Sequence, residues 1–197
     1  MSYNIVNLEC PGCATPLSPD MKNCPSCGRK LYISSMEAVK NESLPGINKA
    51  LSGYSKALAG SPDDPNLNTS AAFCYLKLKL YDKAIACFEK AMENCFDNSE
   101  IYYGCAIALL KGKSPFDAGM ASVKKAEEYL NAAYATEVKG IYRYLLAYLK
   151  HDFYERKYLR SQPTSKVCIE EALGLGVTAA EIDELHTYLG TANPKLI

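Results

Sequence analysis

The stretch CPGCATPLSPDMKNCPSCG, residues 10–28, sets four cysteines in two C-x-x-C pairs with the spacing C-x2-C-x10-C-x2-C. A thiolate is both a nucleophile and a soft metal ligand, and paired knuckles at this spacing favour the second role. Each C-x-x-C turn aims two sulfurs at one point. Pro11 and Pro25 stiffen the turns, and Gly28 lets the backbone pass beneath the sulfurs. Two such knuckles make a tetrahedral S4 site from Cys10, Cys13, Cys24 and Cys27. So short a segment cannot bury enough apolar surface to fold by itself, and between the pairs only Leu17 and Met21 are large and apolar. Metal binding supplies what the core lacks. With every ligand position taken by a protein thiolate, none is open to water or substrate, so the expected role is structural or surface-forming rather than hydrolytic.

CPGCA and CPSCG resemble the two knuckles of the short bacterial zinc-ribbon family, C-P-x-C-G followed, after a loop, by C-x-x-C-G. The resemblance covers residues 8–30 and departs at Ala14, which stands where the first knuckle has glycine. It implies one Zn2+ per chain. Iron, as in rubredoxins, uses the same four ligands, but an electron-transfer site needs a shielded shell, and no aromatic residue occurs from Cys10 to Lys30. Zinc is the expected metal.

Elsewhere the chemistry is sparse. Gly112-Lys113-Ser114 resembles the end of a phosphate-binding loop, yet Ile107 stands where that loop needs glycine and no strand precedes it. Gly174-Leu175-Gly176 reads as a helix end and turn. His151 and His186 have no partner acid or cysteine at motif spacing, and the expectation is no catalytic residue and no enzyme activity. Cys74, Cys87, Cys95, Cys105 and Cys168 fall in helical text and are expected to be small core residues.

The elements that carry these residues belong to a soluble globular chain: 197 residues, 22 basic against 22 acidic side chains, 48% hydrophobic. The longest nearly uninterrupted apolar run, Ile101 to Leu110, is about half a membrane span, and MSYNIVNLEC has no signal-peptide core. A cytoplasmic protein of bacterial type, with no membrane insertion, is expected.

From Leu31 onward the text repeats. Small residues recur at Ala38, Ala72, Ala106 and Gly140, each 34 positions after the last. Three further series share the phase: Ala50, Ala84 and Gly119; Tyr54, Phe88 and Val123; Ala57, Ala91 and Ala126. Residues 65–98 resemble a tetratricopeptide (TPR) unit at Ala72, Tyr75, Tyr81, Ala84, Phe88 and Ala91, departing at Asn68 and Phe96. The resemblance implies a mostly α fold, a TPR-like helical-hairpin solenoid behind a small N-terminal zinc ribbon. Its expected parts are a ribbon over 1–30 and a solenoid over 31–197. The solenoid divides into units 31–64, 65–98 and 99–133, an irregular fourth at 134–177 and a capping helix at 178–190. About a dozen extra residues enter the fourth unit near His151 to Ser161. Thr178 and Glu181 form a T-x-x-E capping box ahead of the last helix. Only Gly28, Arg29 and Lys30 separate Cys27 from Leu31, so the ribbon must lie against or beside the first helix pair.

Residues 139–160 carry six basic side chains (Lys139, Arg143, Lys150, Arg156, Lys157, Arg160) among six aromatic ones (Tyr142, Tyr144, Tyr148, Phe153, Tyr154, Tyr158). Such interleaving can serve single-stranded nucleic acid, but the four-residue spacing of Tyr144 with Tyr148 and of Tyr154 with Tyr158 also suits rings packed along a helix. The packing reading is preferred.

By TPR register the groove that would take a peptide is lined by Ser35 and Val39, by Thr69, Phe73 and Leu76, and by Tyr103, Ile107 and Leu110. This set is mostly apolar and lacks the Lys, Arg and Asn of carboxylate clamps. The expected function is a non-enzymatic scaffold binding a protein or peptide with an apolar or aromatic motif. An RNA- or ribosome-associated factor and a metal-dependent regulatory adaptor are the alternatives.

Overall fold

The computed structural model describes residues 8–10, 13, 15–17, 21, 23–28, 32–40 and 42–197. Pro11, Ala14, the Arg29–Lys30 link and Leu31, on which parts of the sequence reading rest, lie outside the described residues. The fold is mostly α and TPR-like, and the chain divides into two compact units, one ending at Phe96 and the other beginning at Asp97.

The first unit begins with a short antiparallel pairing of β1 (Leu8–Glu9) and β2 (Pro16–Leu17), Leu8 opposite Leu17. Helix α1 (Met36–Lys40) follows, then α2 (Leu44–Gly60), α3 (Pro65–Lys77) and α4 (Tyr81–Met92). The first helix of the first repeat is thus much shorter than the register suggests. Ser43 caps α2 by accepting the Gly46 amide, and Pro45 takes the first turn, so α2 starts early at the expense of α1. Ala38, the first member of its series, is exposed in consequence.

Helices α3 and α4 form the clearest hairpin. Asp64 caps α3 with Pro65 behind it, and Ala72, Ala84 and Ala91 are wholly buried where the helices touch. Phe73 meets Phe88 edge-on at 5.0 Å in the space between them. Because α3 is buried on most of its circumference, its polar side chains must find internal partners. Asn68, which stands where the repeat family has tryptophan, donates to Pro62 O and Asp64 O at 2.9 Å each. Thr69 and Ser70 donate to carbonyls one turn back, and the Ser70 hydroxyl also accepts the Ile33 amide at 2.9 Å.

The second unit holds α5 (Ser99–Leu109), α6 (Met120–Thr136), α7 (Gly140–Leu149), α8 (Ser165–Gly174) and α9 (Ala179–Leu189). Helix α5 packs on α6 and α7 on α8. Gly119 is exposed at the N-cap of α6, so this member of its series serves a turn and not a helix contact. Cys74, Cys105 and Cys168 are core residues; Cys87 and Cys95 are half-buried, and Cys95 lies beyond the end of α4. Past α7 the chain continues through a π-helical turn, Lys150–Tyr154, and a 3-10 turn, Glu155–Lys157, before α8. The capping box of α9 forms with both hydrogen bonds present.

Gly140 shows why the small-residue series ends on glycine. A Cβ there would lie 2.8 Å from Ala172 O and 3.0 Å from Val177 Cβ, so the start of α7 touches the backbone that follows α8. Gly140→Ala should therefore destabilise the chain by about 1–3 kcal/mol, read as a lower urea midpoint.

His186 in α9 is buried, its Nε2 3.2 Å from the Tyr144 hydroxyl and its Nδ1 3.0 Å from Thr191 Oγ1. Burial pulls its pKa below the ordinary 6.5, against the opposing pull of Asp183. The unfolded chain consequently takes up this proton at higher pH than the folded one, so stability is complete above the unfolded value and is lost as pH falls towards the folded one. The urea midpoint should fall on acidification through about pH 6, and His186→Gln should flatten that fall.

Candidate functional site

The two β-strands bring Cys10 round: its amide donates to Thr15 O at 2.9 Å, extending the hairpin to the first knuckle. In the second knuckle Gly28 donates to Cys24 O at 2.9 Å with φ +71°, a left-handed conformation that favours glycine. The sulfurs of Cys10, Cys13, Cys24 and Cys27 converge within 4.8 Å of one another, with Cys10 to Cys27 and Cys13 to Cys24 at 3.5 Å. None of the four is in a disulfide.

Tetrahedral ligands at a metal–sulfur distance of about 2.3 Å stand about 3.8 Å from each other, so this cage has the size that such an ion demands. Hydrogen bonds from the Thr15 side chain and backbone hold the Cys13 thiol down to about 6, towards the thiolate that a metal requires. Cys10 and Cys24 are buried, and Met21 and Tyr32 pack against them. Tyr32 falls outside the aromatic-free window noted in the sequence, so the sulfur shell is better covered than that window implies. Strand β1 lies against α2, which joins the cysteine hairpin to the helices of its own unit.

Tyr32 also lines a cleft of about 420 Å³ with Ile33, Ser35, Glu37, Glu42 and Tyr54, in the space left by the short α1. Burial, with a smaller push from the Glu42 carboxylate, raises the Cys74 thiol to about 12. That core cysteine is chemically quiet.

The groove residues carried over by repeat register are placed mostly within the packing. Val39, Thr69, Phe73 and Leu76 in the first unit are buried, as are Tyr103, Ile107 and Leu110 in the second; Ser35 is half-buried. Phe73 is committed to Phe88, and Tyr103 meets Tyr142 with tilted rings 4.9 Å apart. Their apolar character is that of packing residues. Register alone does not distinguish a ring facing a ligand from one facing the next helix, because both recur with the same period.

The basic and aromatic segment is likewise internal for the most part. Tyr142, Tyr144, Tyr148, Phe153 and Tyr154 are buried, which denies nucleic-acid bases a row of rings. Lys139 pairs with Glu100 and Glu137, Arg143 with Glu171, and Arg156 with Asp152. Lys150 is buried with its Nζ 3.0 Å from Glu127 Oε2, and Glu127 Oε1 is buried without a hydrogen-bond partner. Sequence reasoning missed Lys139 with Glu100, Arg143 with Glu171 and Lys150 with Glu127, whose members lie far apart along the chain. Gly112 and Gly176 both have positive φ just beyond helix ends, where the sequence placed turns.

No protein-family model matches the chain, and no curated protein matches it. Among solved structures the chain is similar to "MamA MSR-1 C2", with a TM-score of 0.53 and 16% sequence identity, over 71% of this chain and 82% of that one. At such identity the likeness is one of fold, and it is the TPR-like helical fold. No helix among the described residues is long and apolar enough to cross a membrane.

Phe73→Ala should cost about 3–5 kcal/mol of stability, as removal of a core ring does. A melting temperature unchanged by that substitution would return Phe73 to a ligand-facing role.

Proposed function

We propose that this chain is a non-enzymatic protein-interaction adaptor of the cytoplasm, its TPR-like hairpins presenting surface to a protein or peptide partner and its N-terminal segment held by a structural zinc ion. The observation that carries the reading is a four-sulfur cage joined to the helices of its own unit, in a chain of TPR-like helix hairpins. Cys10, Cys13, Cys24 and Cys27 would hold the ion. When bound, zinc cross-links a segment that has no core of its own and leaves no coordination position for a substrate. The helices then do what paired amphipathic helices do in repeat proteins, offering a rigid surface whose shape is set beforehand.

Metal analysis of the purified chain should find about one zinc per molecule, and Cys24→Ser should release it. Chelation should abolish the ordered hairpin while most of the helical circular dichroism persists, because the helices keep their own buried core. Iron with a visible thiolate charge-transfer band would overturn the zinc assignment. Affinity capture of the tagged full-length chain should enrich a protein in stoichiometric amount over an unrelated bait, and its absence would count against the adaptor role.

A further inference from the structure

The connection between α7 and α8 departs from the repeat, and it holds the most exposed large hydrophobic side chain of the described residues. Tyr158 is 97% exposed and adopts φ 57°, ψ 29°, the left-handed position that normally falls to glycine or asparagine at a helix end. Its amide donates to Glu155 O at 3.0 Å and the next amide, of Leu159, donates to Tyr154 O at 2.8 Å, so the backbone here is fixed. A tyrosine in this place strains the backbone and buries nothing within the chain.

Beside it lies an open depression of about 430 Å³ lined by Glu155, Leu159, Arg160, Ser161, Gln162 and Thr164. Leu159 is 40% exposed and gives it an apolar wall. Glu155 is already engaged, its carboxylate accepting the Ser165 amide at 3.0 Å and the Ser165 hydroxyl at 2.8 Å. Arg160 is the one cation of the lining and makes no ion pair or hydrogen bond with any described residue. This is the part of the basic and aromatic segment that packing did not absorb: one ring, one wall and one arginine. A single ring makes no stacking platform for a nucleic-acid strand, whereas an aromatic anchor beside an arginine is the composition of a protein-binding hot spot.

We propose that residues 155–164 form a docking surface for a short acidic segment of a protein partner, whose carboxylate pairs with Arg160 in the depression and whose apolar flank covers Tyr158. The proposal rests on the adaptor reading for the existence of a partner and adds where it binds and what it carries. The preset backbone lowers the entropic cost of binding, and the salt bridge gives the association a dependence on ionic strength.

The test is selection of phage-displayed random peptides on the full-length, zinc-loaded chain, with the enriched peptides then made synthetically and measured by fluorescence anisotropy. Peptides rich in Asp and Glu with a neighbouring apolar residue should be enriched, and each should bind Arg160→Glu and Tyr158→Gly at least about tenfold more weakly. Tyr158→Gly should at the same time raise the melting temperature, because glycine takes the left-handed position without strain, and so the loss of binding is not a loss of fold. Enriched peptides that bind both variants as well as the native chain would overturn this surface and leave the adaptor reading intact. Failure of the native chain to enrich any peptide would count against both. Binding of an oligo(U) RNA that Arg160→Glu abolishes, with no acidic peptide bound, would overturn the proposal and assign the surface to nucleic acid.

Discussion

Helices in this chain approach as closely as alanine and glycine permit, and most of what else is seen follows from that approach. Ala72, Ala84 and Ala91 in the first unit, and Ala106, Ala126 and Gly140 in the second, bring backbones near enough for van der Waals contact along the helix crossings. Close backbones leave wider spaces on either side. Those spaces are filled by paired rings, Phe73 with Phe88 and Tyr103 with Tyr142. They also leave polar side chains of a helix such as α3 without water, so Asn68, Thr69 and Ser70 turn to backbone carbonyls. The helix that carries them has little freedom to present anything outward.

The cysteine hairpin obeys a different rule. It has four sulfurs at the spacing of a single ion and few large apolar groups, the composition of a segment that a bound metal would hold where burial is scant. Tyr32 links the two regimes, packing on Cys10 and Cys24 on one side and lining the cleft beside α1 on the other.

Much of this was readable in the amino-acid order because it depends on spacing. The C-x-x-C pairs, the period of 34 and the T-x-x-E box are local or strictly periodic, and the sulfur cluster, the Ala72–Ala84–Ala91 contact and the α9 cap are their physical counterparts. What could not be read was decided across sequence distance or by competition between neighbours. Ser43 and Pro45 start α2 early and shorten α1, a contest between two caps that periodicity does not register. Register left the facing of Phe73 and Tyr103 open, because a ring recurs at a repeat position whether it faces a ligand or a helix. The cations of the 139–160 segment looked available because their acids, Glu100, Glu127 and Glu171, lie well outside it.

The pair of buried Lys150 and half-buried Glu127 bears on how this chain can change over generations. Either charge lost alone strands the other in the interior, at a cost of about 3–5 kcal/mol, whereas exchanging both for apolar groups of similar size is close to neutral. The two positions are therefore tied to each other in descent. A lineage that leaves the ionic version for the apolar one must pass through an intermediate that folds poorly, so the single steps away from the pair are closed whether or not it is the best arrangement.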